Sequence, residues 1–168
     1  WGMVESLGHL MSERDFQLPW GPYFLSLHAE NSGRIPLAQW MVDLGLRKDK
    51  DCALLHYQKA KLFWKDGQFQ NAAQSAKSAV KLEPNLAGAH LILGDGALAQ
   101  KDFARAAAHF EGALKLEPKH QAAIDGAIQS RIGQKEGREA LRWVQQGLNY
   151  YPKDLRYSLW KAQILETI

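Results

Sequence analysis

Along residues 53–66, ALLHYQKAKLFWKD, apolar side chains fall at Leu55, Tyr57, Ala60, Leu62, Phe63 and Trp64, mostly three or four positions apart. That is the spacing of one face of an α-helix. Residues 69–82, FQNAAQSAKSAVKL, place Phe69, Ala72, Ala73, Ala76, Ala79 and Val80 on a second such stripe. Gly67 stands where the first helix should stop. Pro84 ends the second, because it lacks the N–H and its ring clashes with the preceding turn. The pattern therefore predicts a helix, a short polar turn and a second helix.

This unit recurs. AVKLEPN at 79–85 has a near copy, ALKLEPK, at 113–119, 34 positions on. Pro84, Pro118 and Pro152 keep that period, as do Ala38, Ala72, Ala106 and Ala140; Phe69 repeats as Phe103, Ala79 as Ala113 and Gly33 as Gly67. A fixed period of tens of residues decides the architecture before any motif does. Helix axes approach to about 8–10 Å only where side chains are small, so Ala72, Ala79, Ala106, Ala113 and Ala140 are expected at helix crossings. Phe69 and Phe103 are expected to wedge into the seams between successive pairs, each burying about 1.5–3 kcal/mol of transfer free energy. Residues 1–18 carry Met3, Val4, Leu7, Leu10, Met11 and Phe16 at helical spacing. They read as an N-terminal helix packed on the first pair, or equally as the second helix of a repeat whose beginning is absent.

At these residues the chain resembles the tetratricopeptide repeat family, a 34-residue helix-turn-helix unit with Trp, Leu, Gly and Tyr in its first helix and Ala, an aromatic, Ala and Pro in its second. Repeat 87–120 matches best, through Leu93, Gly94, Phe103, Ala106, Phe110, Ala113 and Pro118. Repeat 53–86 has His56 and Ala60 where Trp and Gly are usual; repeat 121–154 keeps Ala140 and Pro152 but has Gly137 and Gly147 at aromatic and alanine positions. Residues 19–52 form a degenerate repeat that keeps Gly33, Ala38 and Gly45, and 155–168 read as a capping or partial-repeat helix. The resemblance implies an all-α, right-handed α-solenoid of about four helix pairs, a single domain over 1–168 with flanking helices. Every first helix then lines a concave side.

In that family, ligand contacts come mainly from five positions on one face of the first helix. Carried over position by position, they give Trp20, Tyr23 and Leu27; Leu54, Tyr57, Lys61, Trp64 and Lys65; Leu91, Asp95 and Leu98; Asp125, Gln129 and Ile132; and, from the last helix, Arg156 and Gln163. The implied partner is another protein, as an extended peptide or an amphipathic helix. The dicarboxylate clamp of the chaperone-binding members needs cations and amides at places held here by Tyr57, Lys61, Ile92, Ala122 and Gly126. Lys61 alone is cationic, so an acidic chaperone tail is not the expected ligand.

Composition narrows the chemistry. Net charge is +3 with signs alternating along the chain, which gives no ground for nucleic-acid binding. No stretch reaches the ~18 apolar residues of a membrane span, and WGMVESLGHL lacks the layout of a signal peptide. A start at Trp1 reads as a piece of a longer chain. The lone Cys52 reads as structural. His28-Ala29-Glu30 imitates a zinc-deaminase motif, but only one cysteine exists. Gly94-Asp95-Gly96 falls in mid-helix, away from any strand that a nucleotide fingerprint needs. His56 and His90 are one repeat apart, too far for a shared zinc, and read as seam residues. Trp20, Trp40, Trp64, Trp143 and Trp160 read mostly as packing. No catalytic residue, metal or cofactor is expected. The leading expectation is a non-catalytic scaffold; the alternatives are a subunit of a bacterial envelope assembly or export machine, suggested by the alanine-rich style, and a regulatory arm of a larger enzyme. Self-association through the solenoid ends is a further expectation.

Overall fold

Each stretch with the three-to-four spacing is helical in the computed structural model, which describes residues 20–167; the segment 1–18, expected as a helix, lies outside the described residues. The described residues hold nine helices and no strand: α1 Trp20–Asn31, α2 Ile35–Lys48, α3 Ala53–Lys65, α4 Phe69–Leu82, α5 Ala87–Ala99, α6 Phe103–Leu116, α7 Gln121–Gly133, α8 Gly137–Tyr150 and α9 Leu155–Leu165. They pack as consecutive hairpins α1/α2, α3/α4, α5/α6 and α7/α8, with α9 docked on α8. The class is an all-α helical repeat. Two compact units are divided after Pro84, one ending with α4 and the other beginning with α5.

All four first helices end in the same closure. The amides of Arg34, Gln68, Asp102 and Glu136 each reach the carbonyl five residues back, on Ala29, Phe63, Ala97 and Arg131, at 2.8–2.9 Å. This six-to-one bond needs the residue before it in the left-handed region, and Gly33 and Gly67 supply that at φ +71° and +74°. Lysine holds the equivalent place in the next two turns, with Lys101 at φ +57° and Lys135 at +62°. A side chain there costs about 1–2 kcal/mol, partly offset by the looser unfolded chain that glycine would bring. Lys101→Gly is therefore expected to raise stability by about 0.5–1 kcal/mol, read as a higher denaturant midpoint at unchanged helicity.

The second helices end on residues of extended backbone, Asp49 at φ −138° and Glu83 at −133°, whose amides bond to Gly45 and Ala79. Pro84 demands that shape of the residue before it. Lys50 replaces the proline after α2 and the corner keeps its form.

Ala38, Ala72, Ala79, Ala106, Ala113 and Ala140 are all fully buried, as crossing positions require. Around them, each unit matches residue sizes across its contacts. In the first unit a Cβ on Gly45 would stand 2.6 Å from Leu55. In the second, a Cβ on Gly147 would stand 2.3 Å from the Tyr157 ring. Two periods after Gly45 and Leu55 the same columns hold Ala113 and Ala123, both fully buried. The unusual Gly147 is thus the hollow that admits a buried tyrosine. Gly94 and Gly126 likewise leave room for the Phe110 ring, which would lie 2.8 and 2.3 Å from an added Cβ. Gly94 therefore serves the contact inside its own hairpin as well as the repeat.

The phenylalanine column divides. Phe103 lies against Gly133 of the next first helix, in the seam. Phe69 instead is 53% exposed and meets Trp64 edge-on across the turn of its own hairpin, with ring centroids 4.8 Å apart. The expected burial of Phe69 is not found; its ring rests against Trp64 instead. Trp20 and Trp40 are also exposed rather than packed. Cys52 is buried at the start of α3 beside Leu55 and Leu62, a core residue of the first unit.

Candidate binding surface

In the first unit, spacings of four and three put Tyr23, Leu27 and Glu30 on one stripe of α1, while Leu54, Tyr57, Lys61 and Trp64 share a stripe of α3. Tyr23, Leu27, Leu54, Tyr57, Lys61 and Trp64 are half-buried and Lys65 is exposed. Tyr23 and Leu54 also flank the core, so part of each is committed to packing. Burial, with the nearby Cys52 and Glu30, pushes the Tyr23 hydroxyl above its ordinary pKa.

The two lysines do not stand alone. Glu30, buried at the end of α1, accepts from Gln58 Nε2 at 2.6 Å and from Lys61 Nζ at 3.2 Å, and forms an ion pair with Lys65. Burial alone would raise the Glu30 carboxyl, but the hydrogen bonds from Lys65, Gln58 and Lys61 outweigh it and hold the group below the usual carboxylate range. Lys61 also sits 5.9 Å from the Tyr57 ring centroid. Two ammoniums against one carboxylate leave about one positive charge on an otherwise apolar and aromatic face. Glu30 and Gln58 were not among the residues expected here, although positional transfer carried one turn further along α1 reaches Glu30. The apparent His28-Ala29-Glu30 motif is resolved by the same contacts, since its carboxylate is engaged by lysines and an amide.

In the second unit, Leu91 and Leu98 of α5 are half-buried against the core, and Asp95 between them is exposed. Desolvation by the surrounding protein raises the Asp95 carboxyl above its ordinary range. Gln129 of α7 is exposed. Asp125 plays a different role, accepting from Tyr157 Oη and Arg156 Nη1, both at 2.8 Å, and so tying α9 to α7. Burial first, and then Asp125, drive the Tyr157 hydroxyl well above its ordinary value. Asp125 is thus committed to structure.

The histidines sit at contacts. His56 Nε2 lies 2.7 Å from the Lys50 carbonyl, and His90 Nδ1 lies 3.4 Å from His109 Nδ1. Among the described residues, no three His, Cys, Asp or Glu side chains gather closely enough to hold a metal ion, and no helix is long and apolar enough to cross a membrane.

Hairpins of constant length, closed by one recurrent turn and sealed by small residues, define a helical-repeat protein. Models of the tetratricopeptide repeat match residues 57–123 and 97–164, and the chain belongs to the tetratricopeptide repeat family. Members of that family are in general protein-interaction scaffolds rather than catalysts. The fold is similar to the crystal structure of a MamA protein, with a TM-score of 0.80 and 17% identity over 89% of this chain and 81% of that one. It also resembles MamA from Desulfovibrio magneticus RS-1, with a TM-score of 0.74 and 17% identity over 89% of this chain and 90% of that one. Pseudomonas aeruginosa pilF gives 0.78 and 17% over 90% and 69%. At such identities the likeness is one of fold. No curated protein matches this chain.

Proposed function

We propose that this chain is a non-catalytic docking scaffold whose first-helix faces hold a segment of another protein, as an extended peptide or an amphipathic helix. The observation that carries this reading is the row Tyr23, Leu27, Leu54, Tyr57 and Trp64. Each side chain is partly covered and partly accessible, so an apolar partner can bury it without first ordering it. Tyrosine and tryptophan are the commonest binding anchors. Glu30 neutralises much of the charge of Lys61 and Lys65, which leaves recognition to apolar side chains with a mild preference for one acidic residue. Leu91, Asp95, Leu98 and Gln129 offer the second unit's counterpart.

Peptides selected from a random displayed library give the test. Tyr57→Ala with Trp64→Ala is expected to weaken the selected peptide about tenfold or more, at unchanged helicity by circular dichroism. Affinity unmoved by that pair would remove the face of α1 and α3 from the binding surface.

A further inference from the structure

The seam that follows the last complete hairpin lacks the ring its predecessor holds. Phe103 begins α6 and lies against Gly133 near the end of α7, with its carbonyl accepting from Gln134 Nε2 at 3.2 Å. One period later the same two columns hold Gly137 and Thr167. A hollow of about 450 Å³ opens there, lined by Ile132, Lys135, Gly137, Gln163, Ile164 and Thr167. An engineered apolar cavity of about 150 Å³ already holds benzene, and small-molecule sites start at about 300 Å³. Thr167 takes some of the room that Gly133 leaves free, yet the space still exceeds one ring severalfold. Its walls are chiefly apolar: Ile164 is 3% exposed, and Ile132, at 41%, presents its side chain at the rim. Lys135 brings a cation to the lining.

We propose that this hollow, between the end of α7, the start of α8 and the end of α9, is a binding pocket for an aromatic side chain of a partner protein with a carboxylate beside it. The ring is the group that the repeat itself places at this station one period earlier. The carboxylate is the group that Lys135 selects. The pocket shares Ile132 and Gln163 with the first-helix positions of α7 and α9 but uses no residue of α1 or α3.

N-acetyl-phenylalanine, its amide and N-acetyl-alanine are the probes, titrated into the isotopically labelled chain and followed by amide NMR shifts. The acid is expected to bind with a Kd on the order of 1 mM, shifting residues 132–137 and 163–167. The uncharged amide should bind about two- to fivefold more weakly, and N-acetyl-alanine should shift nothing. Lys135→Gln should abolish the difference between acid and amide. Gly137→Phe should fill the hollow with its own ring and abolish binding. Ile132→Ser, at an accessible rim position, provides a second variant with the fold kept, and should weaken the acid severalfold. Tyr57→Ala should leave all of this unchanged. Absence of shifts at tens of millimolar probe, shifts that map to α1 and α3, or undiminished binding in folded Gly137→Phe or Ile132→Ser overturns the proposal.

Discussion

Alanine in place of both Lys61 and Lys65 is expected to cost the first unit about 3–5 kcal/mol, the range found when a buried charge loses its partners. Glu30 is the reason. Its side chain is 3% exposed, while the lysines are 31% and 54% exposed. Without them only Gln58 would remain, and one amide cannot compensate a carboxylate withdrawn from water. Either single alanine should cost clearly less, because the other ammonium stays. Adding Glu30→Gln to the double variant should recover much of the loss. Urea unfolding measures all three, and a loss under about 1 kcal/mol in the double variant would contradict the role given to Glu30.

The pH response changes sign with it. In the native chain the Glu30 carboxyl is held low, so its contribution is complete above the unfolded value of about 4.3 and disappears as pH falls through the folded one. In the double variant burial is opposed only by the Gln58 hydrogen bond and raises the group, so acidification should stabilise that unit relative to neutral pH. A consequence for binding studies is that ligand affinity lost on removing these lysines reports first on the fold. Tyr57 and Trp64 are the cleaner probes.

Phe110→Ala is expected to cost the second unit about 3–5 kcal/mol. The ring is fully buried and lies between Gly94 and Gly126. Neither glycine has a side chain that could fall into the space, so collapse is limited to small backbone shifts and the upper part of the range applies. The denaturant midpoint measures it. A cost near ~1 kcal/mol would mean that α5 and α7 close over the gap.

Helices, turns and crossings were legible because they obey local rules repeated at one spacing: alanines 34 apart, prolines 34 apart, glycine at the turn. Even the degenerate first repeat announces itself through Gly33, Ala38 and Gly45. What stayed hidden depends on choices between neighbours. Phe69 and Phe103 occupy one column, yet Phe69 meets Trp64 of its own hairpin while Phe103 lies against Gly133. Lys61 was readable as a surface cation, whereas its attachment to Glu30 joins two hairpins across 31 positions. Asp125 carried the right position for a ligand contact, but Tyr157 and Arg156, from the least regular part of the chain, claim it. Gly147 looked like decay of the pattern until the Tyr157 ring filled the missing methyl's place.

That last pairing makes the hairpins non-interchangeable. Leucine is keyed to Gly45 and tyrosine to Gly147, while Ala113 faces a column holding only a methyl. Transplanting α9 onto the end of α6 would drive the Tyr157 ring into the Ala113 methyl, and the reverse graft would leave an empty socket at Gly147. A chain whose letters look modular has therefore become an ordered series, in which duplication or shuffling of repeats is barred by fit at the joints.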